Sequence, residues 1–592
     1  MDKEILHTVK SVMGCMLVTA LAAGCAQEDI GNAPSEGGGM SATSYVSLSF
    51  ASPQGAPTRA NPTGGETGDG LEKGQANENA ITSAVAFFYQ GTGQEGVNSG
   101  GTTLIKAVVS FNNIGNGTDE NSTGVDRKYT TSPQQVDLEN GTYNVIVVAN
   151  PGTDWWPGQS LTLADVRNHI QTTAWTASGS DYSDFVMTSA ADATLTLESN
   201  SEDDPATATV NVERMAARLD YKAEASYPCT DPAYPNATVK ITGAALVNNL
   251  TAGSYMLKRV ASTVDGVPTY LGNETPDAGV QTNYVLDPWT ADKTSANNSF
   301  TIGGEVKTAE DLYGEWFGNI SQDPNYQDPN YWADYVQPGT EVTVGTEKWQ
   351  RIGYTLENTT AAEEAGKRYS TGVVFKAIFH PQGVANYQNG ATFFALGTHL
   401  FASMEDMMRY VYGAYFSLFD DKINACTDWA GVKNFAASLL DNDPSGYKTF
   451  LNDQLNGKDE SVTLTESDKE SLKWNAYMLN KCGYSASLNN DVYSVTLDQN
   501  DDISTREALQ PYGTRTYKDA TCYYTWWVRH SNDNDDTKKG IMEYAIVRNN
   551  IYKLTVNSIY SLGGPVPGED ENIILDVYVN DWLLLEPETL PM

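Results

Sequence analysis

The chain has 592 residues, with 75 acidic against 37 basic side chains and a formal net charge of −38. So acidic a surface repels phosphate backbones, which excludes nucleic acid as a natural partner. The length allows two or three domains, and beyond the first 24 residues no apolar run approaches membrane-spanning length.

Residues 1–24 read as a signal peptide. Lys3 and Lys10 give a weakly basic start, and the apolar run at 12–23 is too short to span a bilayer comfortably. The run ends LAAGC at 21–25, which resembles a bacterial lipobox: the signal is expected to be removed before Cys25, whose thiol and amine are then lipidated. Membrane contact would come from that lipid. Residues 25–43 are polar and Gly-rich, a composition suited to a flexible tether.

Residues 44–51 predict a strand. Val46, Leu48 and Phe50 alternate with Ser47 and Ser49, the period-2 pattern of one buried face. Pro53, Gly55 and Pro57 then interrupt regular structure, and the lone Arg59, followed by Ala60, is placed where a protease could cut. Further strands are expected at 81–90, 102–111, 141–150, 192–199 and 208–225, with a short helix at 166–170. Short strands separated by turns favour sandwiches over a parallel α/β fold. A Pro-rich stretch at 226–237 suggests a domain boundary, giving an N-terminal domain of 44–225 and a C-terminal domain of 226–592.

In the second domain strands are expected at 238–249 and 368–381, and a hairpin turning at Gly397. Residues 404–485 change character. Met404, Met407, Met408, Val411, Tyr412 and Tyr415 recur at helical spacing after Ser403, a good N-cap, and more helical stretches follow. This predicts a helical insertion in a β domain. Strands resume at 521–530 and 546–559, where Tyr552, Leu554 and Val556 share a face, and at 573–587.

Cys15 leaves with the signal and Cys25 takes the lipid. Cys229, Cys426, Cys482 and Cys522 then allow three pairings in an oxidising compartment. Cys426–Cys482 is the favoured pair, because both fall in the insertion; four free buried thiols is the alternative. The five histidines have no nucleophile motif nearby, and no H-E-x-x-H occurs. The acidic runs at 498–502 and 531–536 lack EF-hand ligand order, and the doubled DPNY at 323–331 reads as a turn repeat with local Tyr packing. No catalytic residue, metal or cofactor is expected.

The chain thus begins and ends with apolar strands, each joined through a Pro/Gly linker. An apolar strand with unpaired backbone seeks an edge or groove, and one solution is donation between subunits. Cleavage at Arg59 would free the groove holding Val46, Leu48 and Phe50. Residues 572–587 of another copy, with Leu575, Val577, Val579, Trp582 and Leu584, could fill it.

The chain resembles the Bacteroidales fimbrial major subunits, in particular the short (minor) type. The resemblance rests on the lipobox, tether and SYVSLSF with Arg59, on VNVERMAARLDYKA (210–223), on YYTWWVRHSNDND…YAIVRNNIYKLTVNSI (523–559), and on ILDVYVNDWLLLEP at the end. It implies two transthyretin-like β-sandwich domains and export as an outer-membrane lipoprotein. It further implies removal of the first strand by a trypsin-like, Arg-specific protease between Arg59 and Ala60. A homopolymer would then grow by strand exchange, with accessory tip and anchor fimbrial subunits, in a surface fimbrium serving adhesion and biofilm formation. The competing expectation is a monomeric surface glycan-binding lipoprotein, which would not need the two terminal strands.

Overall fold

The computed structural model describes residues 43–583 except 52–69, 92–102, 115–117, 120–126, 153–154, 157–159, 262–268, 271–283, 289–298, 303–304, 314–327, 360–368, 404–405, 408–418, 440–446, 475, 478–483, 490–491, 498–513, 531–541 and 569–572. The chain is mainly β, as expected. Strand β1 (Thr43–Ala51) is followed by β2 (Leu71–Lys73), a short helix α1 (Ala76–Asn79), β3 (Ser83–Tyr89), β4 (Ile105–Asn112), β5 (Arg127–Thr130), β6 (Gln134–Asp137) and β7 (Gly141–Ala149). Helix α2 (Leu163–Asn168) starts at Thr162, whose side chain accepts from the Asp165 N–H. Then come β8 (Met187–Ser189), β9 (Ala193–Leu197) and β10 (Ala206–Arg214).

Apart from β2, these strands form one hydrogen-bonded path, β4–β3–β7–β8–β10–β1–β5, with β6 also on β1 and β9 on β7. Their alternate residues close over a common core that includes Val46, Phe88, Val147 and Val210. β1 is an interior strand. It runs parallel to β10 from Val46↔Ala206 to Ala51↔Asn211. Its other edge pairs antiparallel with β6 and β5.

Residues 208–225 are two strands, because the chain breaks at Met215–Ala216 and β11 (Ala217–Lys222) enters a different sheet. Period-2 alternation continues on both sides of the break, so it does not reveal the change of sheet. The second domain adds β12 (Thr238–Val247), β13 (Thr340–Val344), β14 (Glu347–Thr355) and β15 (Gly372–His380). A hairpin of β16 (Phe393–Leu396) and β17 (His399–Phe401) turns at Gly397, whose φ of +57° favours glycine. The helices α3 (Trp429–Ser438), α4 (Tyr447–Leu455) and α5 (Glu466–Leu472) come next. The domain closes with β18 (Thr514–Tyr517), β19 (Thr521–Trp527), β20 (Asn550–Ile559) and β21 (Ile573–Leu583).

One sheet has the order β2–β21–β20–β11–β14–β13; the other places β12, β15 and β19 side by side. Leu219, Leu554 and Val579 from the first meet Val239, Phe375 and Tyr524 from the second, which makes the sandwich. The helices form a separate small core around Trp429, Tyr447 and Trp474. Both β17 and β18 pair with β16, so the helices leave the β domain and return to it at one small sheet. At its start Ser403 caps as expected, its Oγ accepting from the Asp406 N–H at 3.1 Å. Most of the methionine-rich stretch lies outside the described residues. The second DPNY copy is a helix, Pro329–Tyr335, where a turn was expected; Trp332 is fully buried and Tyr331 stacks on Tyr335.

Candidate functional site

Val46, Leu48 and Phe50 have no exposed surface. Burial of three such side chains is worth about 1.5–3 kcal/mol each. Polar contacts hold the strand on the β5–β6 side: Ser47 Oγ donates to Thr131 O at 2.8 Å, and Leu48 N donates to Thr131 Oγ1 at 2.9 Å. Without β1, both β10 and the β5–β6 pair would face an open, apolar slot.

The last strand has the same alternation. Val577 and Val579 are buried, Leu575 is half-buried against the same core, and Ile574 on the opposite face is exposed. Trp582 pairs through its backbone with Glu72, and Leu584 lies outside the described residues. Sequence reasoning left this strand uncovered; in the structure it pairs with β20 from Ile573 to Asp581 and fills its own sandwich. Beside them on β20, Tyr552, Leu554 and Val556 are the register partners of Val579, Val577 and Leu575 and enter the same core. The two terminal strands are not brought together, since β1 and β21 stand in different sheets.

Cys25, Arg59, Ala60 and Cys482 lie outside the described residues. Cys426 is a buried free thiol whose Sγ donates to Lys422 O at 3.2 Å. Cys229 and Cys522 are also free and buried, and burial pushes the Cys522 thiol up to about 12.

The charged residues of the two inner motifs converge at the domain junction, which sequence reasoning missed. The Met215–Ala216 break is met by Asn549, which has φ +56° and donates its N–H to Ala216 O. Its Oδ1 accepts from Arg214 N at 3.1 Å and Arg214 Nη1 at 3.3 Å. Asn suits both tasks, since it tolerates the left-handed backbone and offers a short acceptor. Complete burial lowers the Arg214 pKa to about 10.

Beside this lies a cluster of buried charges. Arg218 pairs with Glu72, with Glu78 at 2.8 Å and with Asp220 at 2.8 Å. Burial alone would lower its pKa, but Asp220, Glu78 and Glu72 raise it above the usual arginine value. Lys553 reaches Glu72 at 2.7 Å and lies over the Trp349 ring, 4.2 Å from its centroid. The Tyr354 hydroxyl bonds Glu78, and Arg548 pairs with the buried Glu357 at 2.7 Å. Glu213 pairs with Lys258 at 3.0 Å. The available signal was the run of charges inside an apolar strand at 213–220, unusual unless each finds a partner.

Residues 515–587 match the family model for the C-terminal part of fimbrillin, the major fimbrial subunit protein type IV. No curated protein matches the chain. Among solved structures, a Parabacteroides distasonis protein described for cell adhesion is 12% identical, with 91% of this chain and 100% of that one covered and a TM-score of 0.36. A fimbrilin from Porphyromonas gingivalis is 13% identical, with 92% and 99% covered and a TM-score of 0.31. The tip fimbrial protein of that species, truncated at its C-terminus, is 8% identical, with 91% and 100% covered and a TM-score of 0.29. The family-model match bears out the fimbrial resemblance over the stretch holding β19, β20 and β21. That stretch is fimbrillin-like.

Proposed function

We propose that this chain is a structural, non-catalytic subunit of a surface fimbrium that polymerises by exchanging terminal strands. The observation that carries the reading is β1. It is the first described strand, yet it stands inside the N-terminal sheet with Val46, Leu48 and Phe50 wholly buried. A strand so placed can be removed as a unit, leaving a slot with three apolar sockets at two-residue spacing. β21 offers Leu575, Val577 and Val579 at the same spacing. The fimbrillin-like stretch at 515–587 includes this strand.

In the full reading the chain is exported as a lipoprotein anchored through Cys25 to the outer membrane. An Arg-specific, trypsin-like protease cuts between Arg59 and Ala60. β1 leaves, and β21 of another copy takes its place. Tip and anchor subunits complete a fibre that serves adhesion.

The test is limited trypsin digestion of the chain starting at residue 26, with N-terminal sequencing and SDS-resistant ladders followed together. A first cut before Ala60 followed by ladders is expected. Arg59→Ala should abolish the cut, and truncation after Gly568, which removes β21, should abolish the ladders. A resistant Arg59, or a cut chain that stays monomeric, overturns the reading and leaves the glycan-binding lipoprotein.

A further inference from the structure

The last strand is held unequally along its two edges. β20 pairs with β21 from Ile573 to Asp581. On the other edge, β2 is its one strand neighbour among the described residues, and it reaches only Asp581, Trp582 and Leu583. Asn580 reinforces this short contact. Its Oδ1 accepts from Gly70 N at 3.2 Å, and its Nδ2 donates to Glu72 Oε2 at 3.4 Å.

Glu72 is anchored elsewhere. It pairs with Lys553 on β20 and Arg218 on β11, both inside the sheet. Six residues on, the fully buried Glu78 binds Arg218 as well. The segment is therefore tied to the body of the domain at two points, and it grips β21 through three strand pairs and one asparagine.

We propose that residues 70–73 form a clasp that retains the C-terminal strand in its own sheet, with Asn580 setting the strength of the hold. As regulation of strand donation this rests on the reading above; as a constraint on β21 it does not. Opening the clasp costs the three pairs and the two Asn580 hydrogen bonds, while the ion pairs of Glu72 with Lys553 and Arg218 persist. The clasp therefore keeps its shape when the strand leaves. Gly70 lies eleven residues beyond Arg59, so a cut there leaves the clasp on the body of the subunit. A processed subunit would hold its donor strand until the clasp opens.

Two variants attack the contact from opposite sides. Asn580→Asp sets a carboxylate against Glu72. Gly70→Ala would put a Cβ 2.6 Å from Asn580 Oδ1 and push that side chain away without adding charge. Hydrogen exchange read by mass spectrometry on the chain from residue 26 should show amides at 573–580 exchanging about fivefold faster or more in both. Residues 43–51 and 238–247 should be unchanged, which separates a local opening from general destabilisation. After trypsin, both variants should form ladders sooner than the parent. Exchange at 573–580 within about twofold of the parent in both variants overturns the clasp. Faster exchange with no ladders from any form supports the clasp and sinks the polymerisation reading.

Discussion

Arg218 is the residue on which the junction depends most. Its guanidinium serves Glu72, Glu78 and Asp220 together, and none of the four side chains is more than slightly exposed. Arg218→Met leaves three buried acids to Lys553 and Arg351, the latter 3.8 Å from Glu78. Breaking such a cluster should cost about 3–5 kcal/mol in denaturant unfolding, and Arg218→Lys should recover little, since one ammonium cannot replace the planar fork. A loss under about 1 kcal/mol would mean the acids re-pair or protonate at little cost. His169 gives a pH handle. Its ring stacks on Trp155 at 4.0 Å, and burial, opposed by a hydrogen bond to the Gln171 side chain, lowers its pKa below 6.5. The unfolded chain therefore takes the proton first, so His169 stabilises fully above about pH 6.5 and loses that contribution as pH falls. Melting temperature should drop more between pH 7.5 and 5.5 in the parent than in His169→Gln; equal drops would refute the assignment. At this scale the apolar faces of β1 and β21 were legible, because side-chain alternation is local. The partners of Arg214 and Arg218 were not, since Glu78 and Asn549 lie far away in sequence.

β1 supplies the clearest test at the scale of elements. Phe50 is fully buried and opposes Val210 and Tyr129 on its two sides. Phe50→Ala should therefore destabilise the chain by about 3–5 kcal/mol, measured by denaturant unfolding of the uncut protein. Under the strand-exchange reading the same substitution should not slow ladder growth after the cut, because the strand carrying it has gone. A variant that unfolds normally but ladders poorly would place Phe50 in the polymer. Alternation showed which face of each strand is buried and could not show which sheet receives it. That is why the pattern over 208–225 reads as one strand, although β10 and β11 sit in different sheets. β2 was invisible for a different reason: LEK is too short to show a period, and its pairing depends on Asp581 to Leu583 at the far end of the chain.

Across the whole molecule the two β domains share their cores. Tyr354 and Ile551 of the second domain pack into the core of the first. A further apolar cluster joins Phe87, Ile146 and Leu163 to Met256, Leu312 and Tyr369. Short pairing of Ile170–Gln171 with Ser254–Tyr255 adds backbone bonds across the junction. Neither half can lose this apolar contact without exposing the other, and the buried ions would be stranded in either half alone. The helical insertion differs, because its core is its own apart from the hairpin at its base. The two sandwiches should therefore open together, and the helices separately. Hydrogen exchange in rising denaturant tests this directly. Amides in β3 and β7 should lose protection at the same concentration as those in β12 and β15, while those in α3 lose it earlier. If β3 and β7 opened well before β12, the junction would be a contact between independent domains. Removing β1 would then disturb only the N-terminal half. If all four open together, then under the strand-exchange reading the vacated slot is a weakness of both domains, and an incoming strand would restore the stability of both at once.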